Sequence, residues 1–111
     1  MVFDHPKTKE VKYNYPRVEC PEPVEGQWFV YLLECKDSSI YCGSTDNPIR
    51  RLHDHNAGIA AQWTKMRRPV QLVYIEIWNS LLGARRRERQ IKGWGILKKS
   101  NLIQGKWIKL E

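Results

Sequence analysis

The stretch Gln27-Trp28-Phe29-Val30-Tyr31-Leu32-Leu33-Glu34-Cys35-Lys36-Asp37-Ser38-Ser39-Ile40-Tyr41-Cys42-Gly43-Ser44-Thr45 decides how the chain folds. Two apolar runs, 28–35 and 40–45, flank the polar segment 36–39, which reads as a β-hairpin. So short a connection excludes a parallel pair. The first run is apolar almost throughout, as expected of a strand covered on both faces in the middle of its sheet. Gly43 interrupts the second run, where a glycine marks a bulge or a close approach of another group. Tyr31 and Tyr41 share a face of the hairpin only if opposed residue numbers sum to an even value. A strict four-residue loop would pair Cys35 with Ile40 and set the two phenols on opposite faces. A site that uses both tyrosines therefore requires a three- or five-residue loop, or a bulge.

Downstream, Asn47 can cap a helix and Pro48 suits its first position. This helix is expected over 47–56, with Gly58 as its stop. Ile49, Leu52 and Asn56 follow helical spacing toward the core, and Arg51 and His55, four apart, share one side. A loop over 58–69 carries Trp63, Lys65, Arg67 and Arg68. A third strand is expected over 70–78 and a helix over 81–94, capped by Asn79 or Ser80. Leu81, Ala84, Ile91 and Trp94 form the apolar stripe of that helix, and Glu88 falls on the same stripe. A carboxylate there is costly unless paired, hydrogen-bonded or bound to a metal. A short helix over 96–103 and a basic tail with Trp107 close the chain. The predicted fold is α/β: a small, mostly antiparallel three-stranded sheet flanked by helices, spanning 27–111. Residues 1–26 hold four of the six prolines and show no period, so they read as an extended, weakly ordered tail. Within it, Val11–Tyr15 alternates briefly, enough to pair with a sheet edge.

A length of 111 residues suits one domain. No run approaches the length of a membrane span, and residues 1–26 lack a signal-peptide pattern, so a soluble cytoplasmic protein is expected. The 3 cysteines have no CxxC spacing, against both a disulfide framework and a structural zinc site. The net charge of +7 is unevenly spread, because residues 48–111 hold 14 Lys and Arg against 4 Asp and Glu. A segment so rich in arginine and dotted with tryptophan suits a polyanion.

The ordered set of Tyr31, Tyr41-Cys42-Gly43, Arg51 and an on-stripe Glu88 resembles the GIY-YIG nuclease domain over about 27–103. In length and texture the chain is most similar to small stand-alone bacterial members. Phe29-Val30-Tyr31 keeps only the tyrosine of the first tripeptide, and Tyr41-Cys42-Gly43 keeps the tyrosine and glycine of the second. The resemblance implies an endonuclease hydrolysing DNA, with Tyr31, Tyr41, Arg51, His55, Glu88 and Asn101 as site residues. It implies Glu88 as the ligand of a divalent cation, Mg²⁺ or Mn²⁺. The family includes DNA-repair enzymes, and a protein partner could supply specificity.

Those residue types suit phosphodiester hydrolysis. A lone carboxylate can hold a hard cation that keeps waters and phosphate oxygens as its other ligands. Arg51 offers a planar fork to phosphate oxygens. Positive charge nearby would bring a tyrosine phenolate within reach, with Tyr31 preferred as base and Tyr41 orienting the water. Arg50, Lys65, Arg67, Arg68, Arg85, Arg89 and Lys92 are the expected nucleic-acid contacts, with RNA remaining an alternative to DNA. Taken singly, each residue has an ordinary role: core tyrosines, a surface arginine, a paired glutamate, and His53 and His55 as solvated side chains. Two other readings are a binding module of the same fold with little or no cleavage, and a basic interaction protein that meets an acidic one.

Overall fold

The computed structural model describes residues 11–105. Its strands are β1 (Trp28–Glu34), β2 (Ile40–Thr45) and β3 (Gln71–Trp78), and its helices are α1 (Pro48–Ala57), α2 (Gln62–Lys65), α3 (Leu81–Lys92) and α4 (Ile96–Ile103). The sheet is antiparallel in the order β2-β1-β3, with the apolar run β1 at its centre as predicted. The short α2 lies within the segment expected to be a loop. The basic tail with Trp107 lies outside the described residues, as do residues 1–10.

The hairpin register is even. Tyr31 faces Gly43, Leu33 faces Tyr41, and Glu34 faces Ile40, which leaves a five-residue loop over 35–39. Cys35 N–H donates to the Ser39 carbonyl at 2.9 Å, closing that loop. Ser38 takes a left-handed φ of 72°, and Asp37 accepts from the Ser39 N–H at 3.1 Å. This turn meets the parity that two tyrosines on one face require.

Alternation along β1 builds two cores. Val30, Leu32, Ile40, Cys42 and Val73 pack with Ala84 and Ile91 of α3 and Leu102 of α4. On the opposite face Tyr31, Leu33, Cys35, Val70 and Leu72 pack with Leu52 of α1. The helices thus cover both faces, which explains why β1 is apolar at nearly every position. Asn47 caps α1 through the Arg50 N–H at 3.1 Å, and Gly58 ends it at a φ of 82°. Ser80 caps α3 through the Gly83 N–H at 3.0 Å.

Two helix faces depart from expectation. Ile49 and Leu81 are 46% and 42% exposed, because only Pro48, Leu52 and His55 of α1 turn toward the sheet and α3 meets it through Ala84 and Ile91. Asn56 works through its amide rather than by burial. It accepts from Val70 N–H at 2.8 Å and donates to Val70 O at 3.0 Å, tying the end of α1 to the start of β3.

Residues 11–26 contain no regular element but are bonded to the domain. Glu34, fully buried at the end of β1, accepts from the Asn14 and Tyr15 N–H groups at 2.7 and 3.1 Å. Tyr15 Oη donates to Ser100 Oγ at 2.8 Å. The pairing with an edge strand falls at Val18, whose N–H donates to Leu72 O at 2.8 Å, rather than within Val11–Tyr15. The Glu34→Gln variant loses the charge on these bonds and presents an amide donor to one of the two N–H groups. Urea unfolding should register a loss of about 1.5–3 kcal/mol, and the Asn14 and Tyr15 amide protons should exchange faster. An unchanged midpoint with unchanged exchange would contradict this role.

Candidate active site

A pocket of about 170 Å³ is lined by Tyr31, Tyr41, Gly43, Ser44, Arg51, His55, Ala60, Arg85 and Glu88. Tyr31 and Tyr41 come from the α1 face of the sheet, while Ser44 and Glu88 belong to the α3 face. The two groups meet because β2 is an edge strand, so the pocket wraps around its free side. Gly43 makes that possible. A Cβ there would lie 2.6 Å from Tyr31 Cζ, which no real contact allows. The phenol instead lies against bare backbone.

Tyr31 Oη and His55 Nε2 are 2.9 Å apart, and His55 Nδ1 lies 2.8 Å from Thr64 Oγ1. Thr64 Oγ1 is 3.1 Å from the Ala61 carbonyl, to which it can donate. His55 and Thr64 are both essentially inaccessible, at 1% and 0% exposure. The ordinary reading of a solvated side chain therefore fits His53, whose side chain is 79% exposed, and not His55, which lines the pocket with the other residues that the resemblance implies. The α1 spacing that puts His55 one turn beyond Arg51 also turns it under the hairpin. Tyr41 lies edge-on to the His55 ring at 5.0 Å and is stacked by Trp63 at 5.9 Å between centroids.

Burial pushes the Tyr31 hydroxyl well above the usual phenol range, helped by Tyr41 and opposed by Arg51. Burial likewise raises Tyr41, against the pull of Lys92. The lowering of Tyr31 by Arg51 is thus outweighed by desolvation. Burial, reinforced by Arg51, lowers His55 to about 4, so its imidazole is neutral at pH 7.

Glu88 is both hydrogen-bonded and paired, as a carboxylate on an apolar stripe requires, though by neither Arg51 nor a tyrosine. Ser44 Oγ donates to its Oε1 at 2.5 Å, and Lys92 Nζ lies 2.8 Å from its Oε2. Desolvation works against its charge, but the Lys92 and Ser44 bonds prevail and hold the carboxyl below its ordinary value. Lys92, one helical turn on, also stands 5.8 Å from the centre of the Tyr41 ring.

The structure gathers Tyr31, Tyr41, Arg51, His55 and Glu88 at one pocket and leaves Asn101 out of its lining, half-buried on α4. Among the expected nucleic-acid contacts, Arg85 lines the pocket, and Arg89 and Lys92 border an adjoining cavity of about 250 Å³. Arg50 and Arg51 border a larger cavity, about 610 Å³, walled by residues 23–28 and the start of α1. Arg67 braces the loop instead, 4.0 Å over the Trp63 ring and 3.2 Å from Asp37. Arg68 bonds the Lys65 carbonyl at 2.9 Å, while Lys65 itself is exposed. Among the described residues, neither the Arg51 nor the Arg85 guanidinium has a hydrogen-bonding or ionic partner. Reading the sequence missed Ser44 and Thr64. Alternation puts Ser44 on the far face from the tyrosines, and no periodicity links Thr64 to His55.

Residues 27–101 match the GIY-YIG catalytic domain. A UPF0213 protein of Staphylococcus haemolyticus is 46% identical over 76 residues, covering 68% of this chain and 93% of that protein. A UPF0213 protein of Syntrophus aciditrophicus is 47% identical over 77 residues, 68% of this chain and 88% of that one. The solution NMR structure of a protein from E. faecalis superimposes with a TM-score of 0.54 at 29% identity, over 77% of this chain and 90% of the other. The chain belongs to the GIY-YIG family, a family of nucleases. No helix among the described residues is long and apolar enough to cross a membrane.

The neutral His55 predicts a pH response. Its proton affinity is lower in the folded protein than in the unfolded chain, where it titrates near 6.5. Stability from this group is therefore complete above pH 6.5 and lost as pH falls toward 4. The loss reaches at most about 3 kcal/mol. Urea melts between pH 7 and 4.5 should show the decline, and His55→Gln should flatten it. A wild-type profile flat over that window would contradict the assignment.

Proposed function

We propose that this chain is a divalent-cation-dependent endonuclease acting on DNA. The observation that carries the reading is a single pocket holding two tyrosines, a neutral imidazole, a half-buried carboxylate and two guanidiniums without partners among the described residues. Arg51, His55, Arg85 and Glu88 come to it from the basic half of the chain.

The donors suit a hard cation such as Mg²⁺ or Mn²⁺. Glu88 is a single ionised carboxylate, and Lys92 Nζ at 2.8 Å already marks its Oε2 as a place where positive charge is favoured. Such an ion takes few protein ligands and keeps waters and phosphate oxygens for the rest. When bound, it supplies Lewis-acid polarisation of the phosphoryl group and shields the leaving oxygen. Arg51, without a protein acceptor among the described residues, pairs with the non-bridging oxygens and stabilises their growing charge. Arg85 holds a neighbouring phosphate. Tyr31 accepts a proton from the attacking water as the new P–O bond forms and the bond to the leaving oxygen breaks. Tyr41 orients that water. Because burial keeps Tyr31 protonated at rest, its own proton must leave as the water's proton arrives.

The test is Glu88→Gln, assayed on several DNA structures with Mg²⁺ or Mn²⁺. Cleavage should fall at least ~100-fold. The fold should stay intact, since Lys92 is 50% exposed and its ion pair with Glu88 stabilises by no more than about 1 kcal/mol. Affinity for DNA in chelator should be unchanged or slightly higher, with a steep salt dependence. A variant that cuts like the wild type overturns the assignment. A wild type that binds in this salt-dependent way yet cuts nothing makes the chain a binding module.

A further inference from the structure

We infer that Thr64 is a positioning residue of this site: its hydroxyl, anchored on the Ala61 carbonyl, holds the His55 imidazole with its proton on Nδ1, so that Nε2 is the acceptor for the Tyr31 hydroxyl proton. The distances are 3.1 Å from Thr64 Oγ1 to Ala61 O, 2.8 Å from His55 Nδ1 to Thr64 Oγ1, and 2.9 Å from His55 Nε2 to Tyr31 Oη. For a neutral imidazole, only one arrangement of protons fills all three gaps. Thr64 donates to Ala61, His55 Nδ1–H donates to Thr64, and Tyr31 O–H donates to His55 Nε2. The reverse tautomer turns the Thr64 proton onto Nδ1. It leaves two oxygen lone pairs facing each other at 3.1 Å in a part-buried contact, and it turns the Tyr31 proton out into the pocket.

The orientation matters because it decides what Tyr31 can do. With Nε2 accepting, both Tyr31 lone pairs remain for the pocket. The water's proton passes to Tyr31 Oη while the phenol's own proton passes to His55 Nε2. Two O–H bonds break, one O–H and one N–H bond form, and the imidazole carries the positive charge until its proton returns through Tyr31 Oη to the pocket. No free phenolate has to persist beside the apolar core. In the reverse tautomer Nε2–H donates to Tyr31, and this route is closed. Ala61 also accepts from Lys65 N–H at 3.0 Å, so the carbonyl that anchors Thr64 is itself fixed by α2. The α1–α2 connection, which otherwise looks like a surface loop, therefore sets a proton position at the site.

The kinetic part of this inference rests on the proposed nuclease reading, whereas the tautomer does not. In ¹⁵N-labelled protein at pH 7, His55 should show a protonated Nδ1 and an unprotonated Nε2. Thr64→Val, nearly isosteric, should invert or average that pattern. It should also lower kcat on DNA by about 10–100-fold with KM unchanged. Thr64→Ser should restore the wild-type tautomer and a rate within about 3-fold of it. Should the Val variant fail to fold, Thr64→Ala carries the same expectations. A wild type with its proton on Nε2, or a folded Val variant that keeps it on Nδ1, overturns the inference. So does a Val variant that loses the Nδ1–H form yet cuts at the wild-type rate. An Nδ1–H wild type that loses this form in the Val variant, with no DNA cleaved by either, supports the role of Thr64 and counts against the nuclease reading alone.

Discussion

Tyr31 stands opposite Gly43 in the central hairpin, and the rest of the site depends on that pairing. The pairing is even because the turn has five residues, so Tyr41 falls on the same face two positions along. Gly43 has no Cβ to fend off the Tyr31 ring, so the phenol lies flat toward the free side of β2. Only there can groups from the α3 face join it. A one-residue slip would send Tyr41 into the core shared by Ala84 and Ile91 and leave Cys42 beside His55.

Desolvation outweighs nearby charge in setting the state of Tyr31, Tyr41 and His55. Glu88, at the rim, is governed by partners instead: an ammonium and a hydroxyl outweigh its partial burial. The site therefore holds a neutral interior and an ionised mouth within one small volume. Arg51 belongs to both, lowering the imidazole from one side and lining the pocket on the other.

The strands and main helices were legible because their signals are local: a long apolar run, a capping Asn-Pro, a Ser80 that caps α3, a glycine stop. The gathering of Tyr31, Tyr41, Arg51 and Glu88 was implied by the resemblance to the GIY-YIG domain, because strand parity alone left open whether the two tyrosines share a face. Where such patterns end, reading fails. Spacing alone placed Ile49 and Leu81 inward, but how much of a helix is covered depends on tilt and partners. Lys92 lies four residues from Glu88, a spacing at which such pairs form, so that contact could have been read from α3 alone. Nothing in the sequence announces that Thr64, nine residues beyond His55 in the short α2, packs against the imidazole and buries it. Ser44 was beyond pattern reasoning, since only an edge strand lets neighbours of opposite parity share a pocket.

The free side of β2 has a consequence for assembly. An unpaired strand edge is a template for another chain, and proteins usually blunt it with charge, a bulge or a covering segment. Here residues 11–26 supply such cover along β3, through the Val18 bond to Leu72. β2 has no such cover among the described residues, and its open flank is the doorway to the pocket. Two copies joined through β2 into a continuous sheet would bar that doorway for both. Self-association of that kind and access to the pocket exclude each other, so an oligomer compatible with an open site must be built on some other surface.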